Sequence, residues 1–326
     1  MEVRTIAPGE RDAVLDLLAE WYGDRRFFAR YLEHDPSFRA DLCFVAVDDG
    51  RFVGTLQMLR KDIRAGASTL SVAAIANVYT TPAYRERGVA SQLLELALAA
   101  AARERFDVSA LFATRLPFYG QFGWRSQLRF FEYFIGEPDS IDWSAPAGAV
   151  DSIEPFRLSD LEAVMALYDE LNRHRSGTTV RDADYWRGQL RYAGNPHEDF
   201  LVARRGGALI AYARATELYD LRVVMEHAYR PGEEAALTTL LLRLGEQVAP
   251  MGLLTQTTLD GEVCEQLEGR GFRRERIEDY FWMWRTITPQ QVQAKLGLSA
   301  EQLASDDLFT HILPPTASVF WLSDRF

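Results

Sequence analysis

Few folds can use a strand that runs through a glycine-bearing turn straight into a helix, and residues 72–98 read as that unit. Val72–Val78 is an apolar run with β-branched residues, Thr80-Thr81-Pro82 turns the chain, and Arg85-Glu86-Arg87-Gly88-Val89-Ala90 follows. Leu93, Leu94, Leu96, Ala97 and Leu98 then recur at helical spacing. The first amides of a helix have no partner within it, and the helix dipole adds positive potential there, so such a turn suits an anion, phosphate above all. Gly88 lets the backbone approach a ligand, Ala90 keeps the first helical turn uncrowded, and Arg85 and Arg87 offer cations to phosphate oxygens. The pattern lacks Gly-x-x-x-x-Gly-Lys-Ser/Thr, and a single glycine excludes the dinucleotide fingerprint.

Downstream, Phe118-Tyr119-Gly120-Gln121-Phe122-Gly123-Trp124 follows the strand-like Val108–Ala113. Arg-x-x-Gly-x-Ala resembles the acyl-CoA pyrophosphate loop, Gln/Arg-x-x-Gly-x-Gly/Ala, of the GNAT N-acetyltransferase superfamily. Tyr119 to Trp124 resembles the Tyr-x-x-Phe-Gly-aromatic signature that follows the fifth strand in those enzymes. The wording is most similar to the enhanced intracellular survival (Eis-like) branch, where Tyr-Gly-Arg-Phe-Gly-Tyr stands in this place. The resemblance implies an α/β (α+β) fold of two tandem GNAT domains, each a mixed, mostly antiparallel sheet flanked by helices. It also implies acetyl-CoA as cosubstrate and no metal.

Residues 1–136 read as the catalytic unit. Val3–Ile6 is strand-like, and residues 12–22 set Val14, Leu15, Leu17, Leu18 and Trp21 on one helical face. Asp48-Asp49-Gly50-Arg51 between Leu42–Val47 and Phe52–Leu59 signals a hairpin, and Phe130–Ile135 is an aromatic strand. Residues 137–149, with Pro138 and Pro146, read as a linker. Residues 150–287 look like a second copy, offset by roughly 150 residues. Ser159-Asp160-Leu161-Glu162 starts a helix, Arg205-Gly206-Gly207 turns a hairpin, and residues 221–228 lead to a helix over 233–248. Tyr280-Phe281-Trp282-Met283-Trp284 reads as this copy's last strand. The copy is degenerate: Tyr229-Arg230-Pro231-Gly232-Glu233-Glu234 would set two carboxylates against a pyrophosphate, so a structural or pocket-wall role is expected. Asn172–Thr178 is a polar, basic loop, suited to an acidic group or to solvent. Residues 288–326 form a tail with short helices from Thr288 and Ser299. It is too short for the third domain, similar to sterol carrier proteins, of the Eis-like branch.

The resemblance assigns cofactor binding to Val78, Tyr79, Thr80, Arg85, Glu86, Arg87, Gly88, Val89, Ala90 and Thr114. Val78 and Thr80 would bond the pantetheine arm through backbone groups. Glu86 departs from the Eis-like branch, which tends to a basic residue there. Tyr119 is the expected general acid, since a phenol of ordinary pKa near 10 is protonated at neutral pH and can re-protonate a thiolate. In the Eis-like branch a C-terminal carboxylate, often on a terminal Phe, enters the active site, which makes the α-carboxylate of Phe326 a candidate base. Asp324, Glu20, Asp24 or a water chain are alternatives. Trp21, Phe27 and Phe28 are candidates for the acceptor pocket or for ordinary packing.

A net charge of −11 over 326 residues speaks against non-specific nucleic-acid binding and mildly favours a cationic substrate. No window of about twenty residues is uniformly apolar, so no membrane partner is expected. Cys43 and Cys264 read as buried thiols, which suits a reducing cytoplasm. His34, His174, His197, His227 and His311 show no metal-ligand spacing. These features favour an acetyl-CoA-dependent N-acetyltransferase acting on a small-molecule or protein amine. A longer acyl-CoA, or a non-catalytic CoA-binding or regulatory module, stays open, as does a homo-oligomer.

Overall fold

The computed structural model describes residues 1–192, 199–218, 221–246, 253–255 and 259–326. The first half runs β1 (Glu2–Thr5), α1 (Arg11–Tyr22), α2 (Arg25–His34), β2 (Cys43–Asp48), β3 (Arg51–Ala65), β4 (Ser68–Thr80), α3 (Val89–Arg103), β5 (Val108–Phe112), α4 (Leu116–Gly120) and β6 (Arg125–Ile135). The second half runs β7 (Ser152–Pro155), α5 (Leu161–Asn172), α6 (Ala183–Tyr192), β8 (Asp199–Arg205), β9 (Ala208–Leu218), β10 (Leu221–Tyr229), α7 (Glu234–Gly245), β11 (Leu253–Thr255), α8 (Gly261–Glu268) and β12 (Arg273–Thr286). The tail adds α9 (Pro289–Leu296), α10 (Ala300–Ala304) and α11 (Leu308–Ile312).

Local chemistry explains the joints. Asp49 and Gly50 both take positive φ, as a two-residue β-turn between β2 and β3 demands. Gly23 ends α1 in the left-handed region, and the Asp24 carboxylate caps α2 by accepting the Arg26 N–H at 2.8 Å. Leu17, Leu18, Phe28 and Leu32 thus meet Cys43, Val45 and Tyr79 on one face of the sheet. On the other face α3 buries Val89, Leu93, Leu94 and Ala97 against Leu56, Met58, Ile75 and Leu111. Each buried leucine is worth about 2 kcal/mol. Gly54 lets α3 close on β3, since a Cβ there would stand 2.8 Å from Val89 Cγ1.

The two halves do not close separate sheets. One 12-stranded sheet runs β1-β2-β3-β4-β5-β12-β6-β11-β10-β9-β8-β7. The strand holding Trp282 and Trp284 therefore belongs to the second half in sequence but lies between β5 and β6 of the first. Strand β6 in turn pairs with β11 of the second half. The tail covers the face away from α3, where Phe309, Leu313 and Phe320 pack on Val72, Ala74, Ala110, Trp282 and Trp284. Nor is the segment over 137–149 a bare tether, because Ile141 and Trp143 join the second half's core.

The basic loop Asn172–Thr178 is a seam between the halves. Gly177 N–H donates to Arg64 O at 2.7 Å, Arg64 N–H to Thr178 O at 2.8 Å, and Val319 N–H to Ser176 O at 2.8 Å. Gly177 sits at φ +90, and a Cβ there would lie 2.7 Å from Val319 O, so this strap requires glycine.

Candidate active site

The turn into α3 has the form expected of an anion cradle. Among the described residues, none of the backbone N–H groups from Glu86 to Ser91 has a hydrogen-bond acceptor; the first helical bond is Gln92 N–H to Gly88 O at 3.0 Å. Glu86 and Gly88 both take positive φ, 62 and 77, which curls successive amides toward one side. A glutamate rarely holds that conformation, so the loop is over-determined by its surroundings. Arg87 lies over the Tyr84 ring at 5.2 Å, and Tyr84 Oη donates to Asp48 Oδ2 at 2.8 Å. Arg85 Nε donates to Thr80 O at 3.3 Å. Both guanidinium groups are exposed and make no carboxylate pair among the described residues. Val89 is buried under the helix, and Ala90 is partly buried.

Behind the loop the sheet splits. Strands β4 and β5 pair in parallel only over Val72–Ile75 and Val108–Leu111. At that limit β4 carries a bulge: Thr55 faces Tyr79 and Gln57 faces Ala76, so β4 holds one residue more than β3. Asn77 occupies the bulge at φ 53. Beyond it, Thr81 N–H donates to Val53 O at 3.0 Å, and strand alternation then turns the Val78 and Thr80 amides away from β3, toward the opening. Thr80 Oγ1 is buried without a partner among the described residues, and the Tyr79 ring faces α1.

Helix α4 follows β5 across the opening. Tyr119 is partly buried, edge-on to Phe118 at 5.1 Å and Trp124 at 6.3 Å. Its hydroxyl makes no hydrogen bond among the described residues, and desolvation pushes its pKa up to about 12. Thr114 is exposed at the end of β5. Sequence reasoning missed two braces from the second half. Arg285 donates to Phe122 O and lies over Trp124 at 5.6 Å, while Phe281 O accepts the Ala113 N–H at 2.9 Å. Tyr280 and Phe281 project beside the end of β5, half-exposed at the β12 bulge. Their only signal was an aromatic strand assigned to the other half.

On the face away from α3, Trp21 is 50% exposed and stacks on Tyr79 at 5.8 Å. The helical pattern had turned it inward; Gly23 ends the helix two residues later, which leaves this ring at the rim. Phe27 is half-buried, edge-on to Phe28 and Tyr31. Phe28 is 1% exposed and supports Trp21 from within the core. The Phe326 ring reaches Phe112 at 5.4 Å and Phe320 at 6.1 Å, on the same face. Asp324 is not a free base: it is buried and accepts from Arg181 Nε at 3.0 Å, Arg181 Nη2 at 2.8 Å and Tyr185 Oη at 3.0 Å. Glu20 is exposed, and Asp24 serves as a helix cap.

A cleft of about 280 Å³, lined by Arg60, Lys61, Thr179 and Tyr185, opens between the halves at the far end of β3 from this loop. In the second half, Glu233 pairs with Arg205 at 2.7 Å and Gly232 N–H donates to Glu234, so carboxylates fill the place of the cradle. His227 is buried against Trp321, and His197 and Val248 lie outside the described residues. Among the described residues no group of His, Cys, Asp and Glu is gathered as for a metal, and no helix is long and apolar enough to cross a membrane.

Residues 2–126 match the acetyltransferase (GNAT) domain family. An uncharacterized N-acetyltransferase of Streptomyces avermitilis is 32% identical over 148 residues, which is 43% of this chain and 35% of that relative. The match thus spans about a third of the relative's length. A probable N-acyltransferase of Enterococcus faecalis superposes with a TM-score of 0.72 at 17% identity, over 90% of this chain and 74% of the other. Eis1 from Mycobacterium abscessus superposes with a TM-score of 0.63 at 15% identity, over 90% and 75%. Residues 2–126 thus match a GNAT acetyltransferase domain, and the chain as a whole shares its fold with a probable N-acyltransferase and with Eis1.

Proposed function

We propose that this chain transfers an acetyl group from acetyl-CoA to a primary amine. The carrying observation is the run of amides at Glu86–Ser91 without partners among the described residues, continuous with the edge of β4 at Val78–Thr80 that β5 leaves unpaired. Pyrophosphate fits the former, with Arg85 and Arg87 adding charge. The extended pantetheine arm fits the latter, as an added strand would, and one amide there is left to polarise the thioester carbonyl. Thr114, exposed just after β5, would flank this path.

The acceptor would enter from the side of Trp21 and Phe27. The ammonium first gives a proton to a base, the Phe326 α-carboxylate or water. The free amine attacks the thioester carbon, a C–N bond forms and the C–S bond breaks. The leaving thiolate then takes the proton of Tyr119 Oη, which regains one from solvent. A phenol whose pKa is pushed up to about 12 stays protonated throughout the neutral range.

Calorimetric titration of acetyl-CoA into wild type and Gly88→Glu tests the loop. A carboxylate at the cradle should abolish binding while thermal unfolding stays cooperative. Wild type that takes up no acetyl-CoA at millimolar concentration would end this reading.

A further inference from the structure

We infer that Asn77, oriented by Gln57, positions the acceptor amine: its side-chain carbonyl accepts an N–H of the incoming nitrogen. The inference rests on the acetyl-transfer reading above and deepens it. Asn77 sits in the β4 bulge, at the point where β4 parts from β5 and two residues before the Tyr79 ring that carries Trp21. The bulge alone asks only for a residue that tolerates a φ of 53, and glycine would serve with less strain. The chain instead places an amide here and fixes which way it faces. Asn77 Nδ2 donates to Gln57 Oε1 at 2.7 Å, which turns Asn77 Oδ1 away from Gln57.

Gln57 is 2% exposed, and its Nε2 has no partner among the described residues. A buried, half-satisfied amide is costly in a core, and such exceptions gather where a site needs them. Its paired half holds Asn77. An oxygen that can only accept, next to the unpaired end of β4, suits a nitrogen bearing protons and gives nothing to a thioether or an apolar group. Bulges beside active sites commonly re-aim a side chain in this way.

The test uses the full chain and three probes: spermidine, kanamycin and a peptide with a free N-terminus, with thiol release from acetyl-CoA as readout. Asn77→Gly keeps the positive φ and removes the amide. It should leave acetyl-CoA affinity unchanged, lower the melting temperature modestly because the buried Gln57 Oε1 loses its donor, and raise the amine KM about tenfold, the range expected when one hydrogen bond to a charged group is lost. Asn77→Asp restores an acceptor oxygen and should bring KM back to within about threefold of wild type. Gln57→Leu removes a buried unpaired donor and also the acceptor of Asn77 Nδ2, so stability should change little while KM rises. An unchanged KM in Asn77→Gly, or loss of acetyl-CoA binding together with a lowered melting temperature, overturns the inference and leaves acetyl transfer standing. Wild type that binds acetyl-CoA but acetylates none of the three probes overturns the amine reading and this inference with it.

Discussion

Tyr119 and His227 are both groups whose charged form the fold disfavours, with opposite consequences. Tyr119 gains no hydrogen bond among the described residues and loses water, which pushes its pKa up to about 12. Tyr119→Phe should lower kcat by about a hundredfold with acetyl-CoA affinity unchanged, the scale of a lost general acid; an unaltered kcat would return this ring to simple packing. His227 is buried against Trp321, 4.7 Å between rings, and burial pulls its pKa down to about 3. The unfolded chain takes that proton near pH 6.5 and the folded chain does not, so stability is whole above about 6.5 and falls as pH drops toward 3. The slope is at most about 1.4 kcal/mol per pH unit. Melting curves from pH 7 to 5 should therefore decline in wild type and flatten in His227→Gln. Equal slopes would assign the acid loss to other groups.

Among the elements, those set by local signals were legible. The strand–turn–helix unit stands where Val72–Ala90 placed it, because a Pro-bearing turn, a glycine at positive φ and helical leucines act over short range. Helix α9 likewise starts at Thr288 and Pro289. Helices α2 and α6 went unread although Phe27, Phe28, Tyr31 and Leu32, and Tyr185, Trp186 and Leu190, stand at helical spacing; each is short and its arginines break up the apolar run. They pack closely on one another, since a Cβ on Gly188 of α6 would stand 2.4 Å from His34 O at the end of α2, while Phe28 and Leu32 join one core and Trp186 another. The β4 bulge, and with it Asn77, is a property of register between two strands, which no single segment encodes. The tail's last turn was read as a source of a base, and Asp324 instead anchors it. Arg181, Glu226 and Asp324 are all buried, with Arg181 Nη2 at 2.7 Å from Glu226 and 2.8 Å from Asp324. Breaking one member of such a group costs about 3–5 kcal/mol because the others stay buried and charged. Asp324→Ala should lower the melting temperature steeply; a change within error would mean that the tail is held by its aromatic rings alone.

For the molecule as a whole, the exchange of strands decides what the halves can do apart. Two copies were visible in the sequence, with residues 137–149 read as a linker between them. The register of β12 ties the two together. Its Trp282–Thr286 segment pairs with Val108–Phe112, and its Arg273–Asp279 segment pairs with Arg129–Ile135. Removing it strips the inner edge of β5 and β6 together, leaves Leu111 and Trp124 without Met283, and takes away the Arg285 brace on Phe122. Residues 1–136 alone would expose two unpaired strand edges beside apolar surface, which is a template for aggregation. That piece should therefore be insoluble or bind no acetyl-CoA, although it holds every residue of the cradle. Co-expression with residues 137–326 should restore both solubility and titratable acetyl-CoA binding, because the second piece supplies β12 and the tail. A soluble, acetyl-CoA-binding fragment of residues 1–136 would show that β6 can take the place of β12 beside β5, and that the second half serves the acceptor side only.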